Sequence, residues 1–163
     1  MKRIETRIEA SNATPEELWD VLMDFPSYPA WNPMVVAMEG EAEVGGQLQT
    51  TIAMKSGRRM KFNPTVVQYE PGRSMGWLGK LWLRGLFDGL HRFEIERAGS
   101  GAVFVHSEEF RGLLPPLLGR LLRDTHDNFA AMNEALVSEV SQRRTERART
   151  ARPAGPPHAP VRL

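Results

Sequence analysis

The side chains of this sequence with the most chemical reach are its histidines, at 91, 106, 126 and 158, and the carboxylates that stand beside two of them. His91 falls in phase with Phe93 and Ile95, while Arg92, Glu94 and Glu96 take the alternate positions. A strand so patterned puts the imidazole on its apolar side. In the segment 102–110, His106, Glu108 and Phe110 share one phase and Val103, Val105, Ser107 and Glu109 share the other. Both phases carry apolar residues, so either can be the inward one. An imidazole or carboxyl in an apolar pocket has its pKa moved by desolvation, which is a setting for proton transfer. His91 with Glu108 or Glu109 is therefore the candidate acid–base pair. The competing reading of His91 is a polar group at a pocket mouth, bonded to a neighbour or to water.

Other chemistries are poorly supplied. No two histidines stand four residues apart, so no local metal-ligand pair exists and no metal site is expected. The absence of cysteine excludes disulfides, thiolate zinc sites and thiol catalysis. No serine sits in a nucleophile elbow, and no glycine loop opens a helix in a phosphate-binding pattern. Gly45-Gly46 and Gly99-Ser100-Gly101 read as hairpin turns. No cofactor is implied.

The elements that must position these groups follow from periodicity. Residues 2–10 alternate, with Ile4, Thr6, Ile8 and Ala10 on one face, which is a half-buried strand. Thr14-Pro15-Glu16-Glu17 has a cap, a first-turn proline and a glutamate three residues on, and opens a short helix to about residue 24. Pro26, Pro29 and Pro33 prevent a long helix after it, and the aromatic residues between them imply a single turn folded on an apolar surface. About six strands follow between residues 34 and 110, among them 59–69, where Pro64 implies an edge or a bulge. Joined by short turns, they must pair antiparallel.

From residue 113 to about 142 apolar residues recur at helical spacing, including Leu118, Leu122, Phe129, Met132, Leu136 and Val140. Such a helix is about 40 Å long and needs a partner surface of equal length. The expectation is an α+β domain over 1–142: a curved antiparallel sheet of about seven strands, two short helices after the first, and a long C-terminal helix gripped by the sheet. Residues 143–163 carry six arginines, one glutamate and several prolines without apolar periodicity, and read as a disordered tail.

Composition narrows the function. Over 163 residues the net charge is +1, but the tail alone contributes +5 and the body −4, which gives the body no nucleic-acid footprint. No apolar run approaches the length of a membrane span, and the N-terminal segment turns polar and alternating at once, unlike a signal peptide. A cytoplasmic location is the expectation. Oligomeric state is open.

Several strings occur in an order that resembles the START-like, helix-grip superfamily, which includes polyketide cyclase/dehydrase-like and birch-pollen-allergen-like proteins. At the front they are Thr14-Pro15-Glu16-x-Leu18-Trp19 and Asp24-Phe25-x-x-Tyr28-Pro29-x-Trp31-Asn32-Pro33. At the back they are Gly85-Leu86-Phe87-Asp88-Gly89-x-His91-x-Phe93 and Glu109-Phe110-x-Gly112-Leu113-Leu114-Pro115. The resemblance implies a hydrophobic cavity between sheet and long helix. It would hold a small molecule such as a lipid, fatty acid or aromatic polyketide. The lining it suggests is Trp31, Met54, Phe62, Trp77, His91, Phe93, Leu118, Leu122, Thr125 and Phe129, the same residues that would otherwise be ordinary core. Thr125 would orient a ligand hydroxyl or carbonyl, or simply bond back to the helix. A binding protein is the first reading. A cyclase- or dehydratase-like enzyme using His91 with Glu109 or Glu108 is the second. A protein-interaction module using the apolar surface of Trp82, Leu83, Leu86 and Phe87 is the third.

Overall fold

A computed structural model describes residues 2–53, 57–80, 88–111 and 119–151. Strand β1 (Lys2–Ala10) buries Ile4, Thr6 and Ala10 and turns its charged residues outward, as its alternation requires. Helix α1 (Pro15–Met23) starts where the sequence predicts. The backbone N–H of Glu17 donates to Thr14 Oγ1 at 3.2 Å, and the Thr14 N–H donates to Glu17 Oε2 at 2.9 Å. A 3₁₀ turn (Phe25–Ser27) and the one-turn helix α2 (Tyr28–Trp31) follow. The fully buried Tyr28 hydroxyl donates to the Leu22 carbonyl at 2.8 Å, which ties this proline-rich segment down on α1.

Strands β2 (Val35–Gly40), β3 (Leu48–Ala53) and β4 (Arg59–Phe62) form a three-stranded sheet in that order. Strands β5 (Thr65–Glu70), β6 (Ser74–Lys80), β7 (Asp88–Ala98) and β8 (Gly101–Arg111) join β1 in a five-stranded sheet ordered β1-β8-β7-β6-β5. Every pairing is antiparallel. The two sheets make one curved wall, joined where Gln47 bridges Thr65 and the Leu48 N–H donates to the Pro64 carbonyl at 2.9 Å.

That junction corrects the expected single strand over 59–69. Pro64 has no N–H to give a ladder, so the chain leaves one sheet at Asn63-Pro64 and enters the other, and the described residues hold eight strands where about seven are expected.

Helix α3 (Gly119–Thr150) lies against β1 and α1. Its Met132, Leu136 and Val140 join Leu18, Leu22, Phe93, Ile95 and Phe104 in the main core. The expected end of the helix near residue 142 is also corrected, because α3 runs on to Thr150. No apolar stripe is needed there, because side-chain bonding replaces it. Arg143 donates to Glu139 Oε1 at 2.7 Å and to Ser27 Oγ at 2.8 Å, and it pairs with Asp24 at 2.9 Å; Arg144 pairs with Glu17 at 3.3 Å. The residues from 152 onward lie outside those described.

Candidate functional site

The alternation of β7 and β8 answers which face is inward. His91 stands opposite Glu108 and Phe93 opposite His106, while on the far side of β8 Thr6 stands opposite His106 and Ile4 opposite Glu108. His106, Glu108 and Phe110 therefore face the helix. The sequence left this open because Val105 and Ser107, on the outer face, are buried as well. Their cross-strand neighbours there are Arg7, Glu94, Glu5 and Arg92, members of a layer that includes the pairs Arg7–Glu96 at 2.6 Å and Arg92–Glu109 at 2.8 Å.

On the inner face the polar side chains form one line. His91 Nε2 and His106 Nε2 are 2.9 Å apart. His106 Nδ1 is 3.0 Å from Asn133 Oδ1 on α3, and Asn133 Nδ2 donates to Thr6 Oγ1 at 2.9 Å. The Thr6 hydroxyl donates to the His106 carbonyl at 3.5 Å. At the other end His91 Nδ1 lies 3.8 Å from Glu108 Oε2, beyond hydrogen-bond length. Aromatic rings wall this line. Trp77 stacks on His91 at 4.2 Å between centroids, Phe129 stacks on His106 at 3.6 Å, and Phe93 meets both imidazoles edge-on at 5.0 and 4.9 Å. Exposure is 8% at Thr6, 2% at Asn133 and 0% at His106, then rises toward the other end, where the His91 side chain is 9% and the Glu108 side chain 20% exposed.

The line has a direction. Asn133 uses its amide N–H on Thr6, so its carbonyl oxygen faces His106 and can only accept. His106 therefore carries its proton on Nδ1 and accepts at Nε2. His91 then donates through Nε2, and its Nδ1 is left as a bare lone pair turned toward Glu108. This assignment follows from the hydrogen-bond partners rather than from visible protons.

Burial decides the charges. It pushes the His91 pKa down to about 3. Burial first, and then the neighbouring His91, hold His106 well below the ordinary value, with the Asn133 bond opposing them. Burial pushes the Glu108 carboxyl up to about 7. At neutral pH both imidazoles are uncharged and Glu108 sits near its midpoint.

Two missing side chains shape the Glu108 end. Gly89 pairs with Gly79 across β6 and β7. A Cβ at Gly89 would collide with Glu108 Oε1, and one at Gly79 would meet the Phe62 ring at 3.9 Å. The carboxyl thus occupies a recess floored by Gly89, and Phe62 lies over the neighbouring Gly79.

Of the residues singled out from sequence, Trp77, His91, Phe93 and Phe129 converge on the polar line, and Phe62 lies over Gly79, the cross-strand partner of Gly89. Thr125 is partly buried on α3, one turn before Phe129. Trp31 lies with α2 instead, where its indole N–H donates to Ser27 Oγ at 3.2 Å and its ring meets Tyr28 at 4.9 Å. Met54, Leu118, the Trp82–Phe87 surface and the Leu122 side chain lie outside the described residues. Glu109 is a correction. It is on the outer face, paired with Arg92 at 2.8 Å and Arg111 at 3.4 Å, and these bonds keep its carboxyl below the usual carboxylate range. It cannot act with His91.

Thr6 and Asn133 were not foreseen as site residues. The signal for Asn133 was its place beside Met132 and one turn from Phe129, inside an apolar stripe. Among the described residues, no cluster of three His, Cys, Asp or Glu could hold a metal, and no helix is long and apolar enough to cross a membrane. A groove lined by Asp20, Val21, Val140 and Arg144 lies outside the site, between α1 and α3, and has a volume of about 10 Å³, roughly one water.

Residues 1–151 match the family described as polyketide cyclase / dehydrase and lipid transport. No curated protein matches the sequence. Among solved structures, a START superfamily protein from Mycobacterium smegmatis is 21% identical with a TM-score of 0.66, over 86% of this chain and 97% of that one. The protein Ara h 8.0201 is 15% identical with a TM-score of 0.67, over 86% and 98%. The di-domain ARO/CYC StfQ from the steffimycin biosynthetic pathway is 13% identical with a TM-score of 0.67, over 88% of this chain and 52% of that one. At these identities the likeness is one of fold.

Proposed function

The chain belongs to the polyketide cyclase/dehydrase and lipid transport family, and from that premise we propose that it binds a hydrophobic small molecule between its sheet and α3. The observation that carries this reading is the polar line from Thr6 to Glu108, set among aromatic rings and opening toward solvent at Glu108. Polar groups in an apolar interior cost free energy unless each is partnered. A core with no other task would be filled more stably by apolar side chains. Trp77, Phe93 and Phe129 supply the apolar wall such a ligand needs, and the line supplies the few polar groups that orient it.

Native mass spectrometry of the protein purified from its own host is the direct test. The reading expects an added mass that denaturation releases. Titration with a medium-chain fatty acid or a naphthalene probe should quench indole fluorescence through Trp77. The absence of both a retained mass and quenching by any apolar probe would overturn the proposal.

A second reading is supported by one feature, the bare Nδ1 of His91 at 3.8 Å from a carboxyl whose pKa is about 7. A carboxyl poised near neutrality can exchange protons with a bound ligand, as a cyclase or dehydratase must, while the uncharged His91 lone pair beside it orients the ligand. The signature of this reading is turnover of a poly-β-keto substrate that disappears in Glu108→Gln while ligand affinity is retained.

A further inference from the structure

We propose that the gap between His91 Nδ1 and the Glu108 carboxyl is a subsite for a single hydroxyl group on an otherwise apolar ligand. The hydroxyl donates to His91 and accepts from Glu108. The inference rests on the hydrophobic-ligand reading and adds to it the chemical class of the ligand, an apolar phenol, enol or alcohol.

Three observations carry it. The first is direction. Asn133 fixes the His106 tautomer, His106 fixes that of His91, and the chain of bonds ends on a lone pair with no donor within hydrogen-bond length among the described residues. The second is distance. At 3.8 Å the two groups are too far apart to bond each other, yet one oxygen can lie about 2.8 Å from both. The third is space. Gly89 leaves the carboxyl without side-chain crowding from β7, and Glu108 is the member of the line that solvent reaches most.

Chemistry then selects the group. An oxygen in this gap must give a hydrogen bond to the imidazole and take one from the protonated carboxyl. A hydroxyl does both through one atom. A ketone or an ether cannot donate, a carboxylate cannot donate, and an ammonium cannot accept. The groups facing the gap reinforce this choice. Among the described residues, Ile4 of β1, Trp77 of β6 and Phe129 of α3 offer no charge, so with Glu108 protonated a charged headgroup would be desolvated with no opposite charge to meet.

The test is calorimetric titration of the full chain with β-naphthol and with its methyl ether, at about pH 6, below the Glu108 pKa of about 7. The two probes share an apolar body and differ in the donor hydrogen. β-Naphthol should bind about tenfold more tightly, the worth of a well-made buried hydrogen bond. In Glu108→Met and His91→Phe the preference should fall below about threefold, with the affinity for the ether little changed. Equal affinities in the wild type overturn the hydroxyl subsite and leave the hydrophobic-ligand reading intact. A preference that survives in both folded variants also overturns the subsite. Failure of both probes to bind the wild type overturns both readings together. If the variants do not fold by circular dichroism, the wild-type pair of titrations decides alone.

Discussion

Nε2 of His91 and Nε2 of His106 lie 2.9 Å apart, and a single proton serves the bond between them. Because Asn133 presents a carbonyl oxygen to the far side of His106, that proton belongs to His91. The arrangement makes the tautomer of a ring on β7 depend on an amide on α3.

That dependence is visible by NMR. Imidazole ¹⁵N shifts of the wild type should report His106 protonated at Nδ1 and His91 at Nε2, both neutral at pH 7. In Thr6→Val the Asn133 amide loses its acceptor and is free to turn over. The His106 signals should then show exchange between tautomers. Wild-type shifts with His106 protonated at Nε2 would reverse the direction of the whole line.

Stability should depend on pH with opposite signs at the two ends of the site. Glu108, raised from 4.5 to about 7, contributes stability that is fully present below pH 4.5 and is lost as pH rises through about 7. His91, lowered from 6.5 to about 3, contributes stability that is present above pH 6.5 and is lost as pH falls through about 3. His106 acts in the same sense as His91. The wild type should therefore be most stable at mildly acidic to neutral pH. Glu108→Gln should remove most of the alkaline loss, about 2 kcal/mol between pH 5 and pH 8 after allowance for partial exposure. Urea melts of both proteins across this range give the answer, and parallel curves would rule the assignment out.

Gly89→Ala isolates the recess. The new Cβ meets the tip of a flexible side chain, so Glu108 can swing aside, and the stability cost should stay under about 1 kcal/mol. The displaced carboxyl should be better hydrated, and its pKa should drop from about 7 toward the ordinary 4.5 in a ¹³C carboxyl titration. Gly40→Ala is the contrast, because there φ is +122° and the Cβ runs into the backbone of Gln47, which cannot yield. It should cost clearly more. Similar costs for the two, with an unmoved Glu108 pKa, would mean that the recess does not set the position of the carboxyl.

Removal of the chain after Gln142 should destabilise the domain by about 1–2 kcal/mol, in a manner that salt reduces. The loss is that of Arg143 with Asp24, Ser27 and Glu139, and of Arg144 with Glu17. Arg143→Met should reproduce about half of it with the chain otherwise complete. Melting temperatures that match the full-length protein would mean these arginines are merely solvated.

The layout of sheet and helix was legible because each element repeats its own period. Residues 2–10 alternate, α3 carries its stripe, and Thr14 with Glu17 announces a helix start. Pro64 was noticed, but whether it bends one strand or separates two depends on the partners on either side, and no local rule supplies these. The site was half legible. His91 declared its face through Phe93 and Ile95. His106 did not, because ionic side chains on the outer face bury Val105 and Ser107 as thoroughly as the interior buries its own residues. Asn133 was hidden for another reason. Its partners stand 27 and 127 residues away, and a hydrogen-bond network has no period to read.

The pairing of β1 with β8 bears on how the protein comes into being. β1 leaves the ribosome first, and its partner in the sheet order is β8, complete at Arg111, with Thr6 matched to His106 and later to Asn133. A nascent chain must therefore carry β1 as an unpaired, half-apolar strand until β8 has been made. Closure so late and so distant favours slow folding and a long interval in which a chaperone, or another copy of the same strand, can take the place that β8 will occupy.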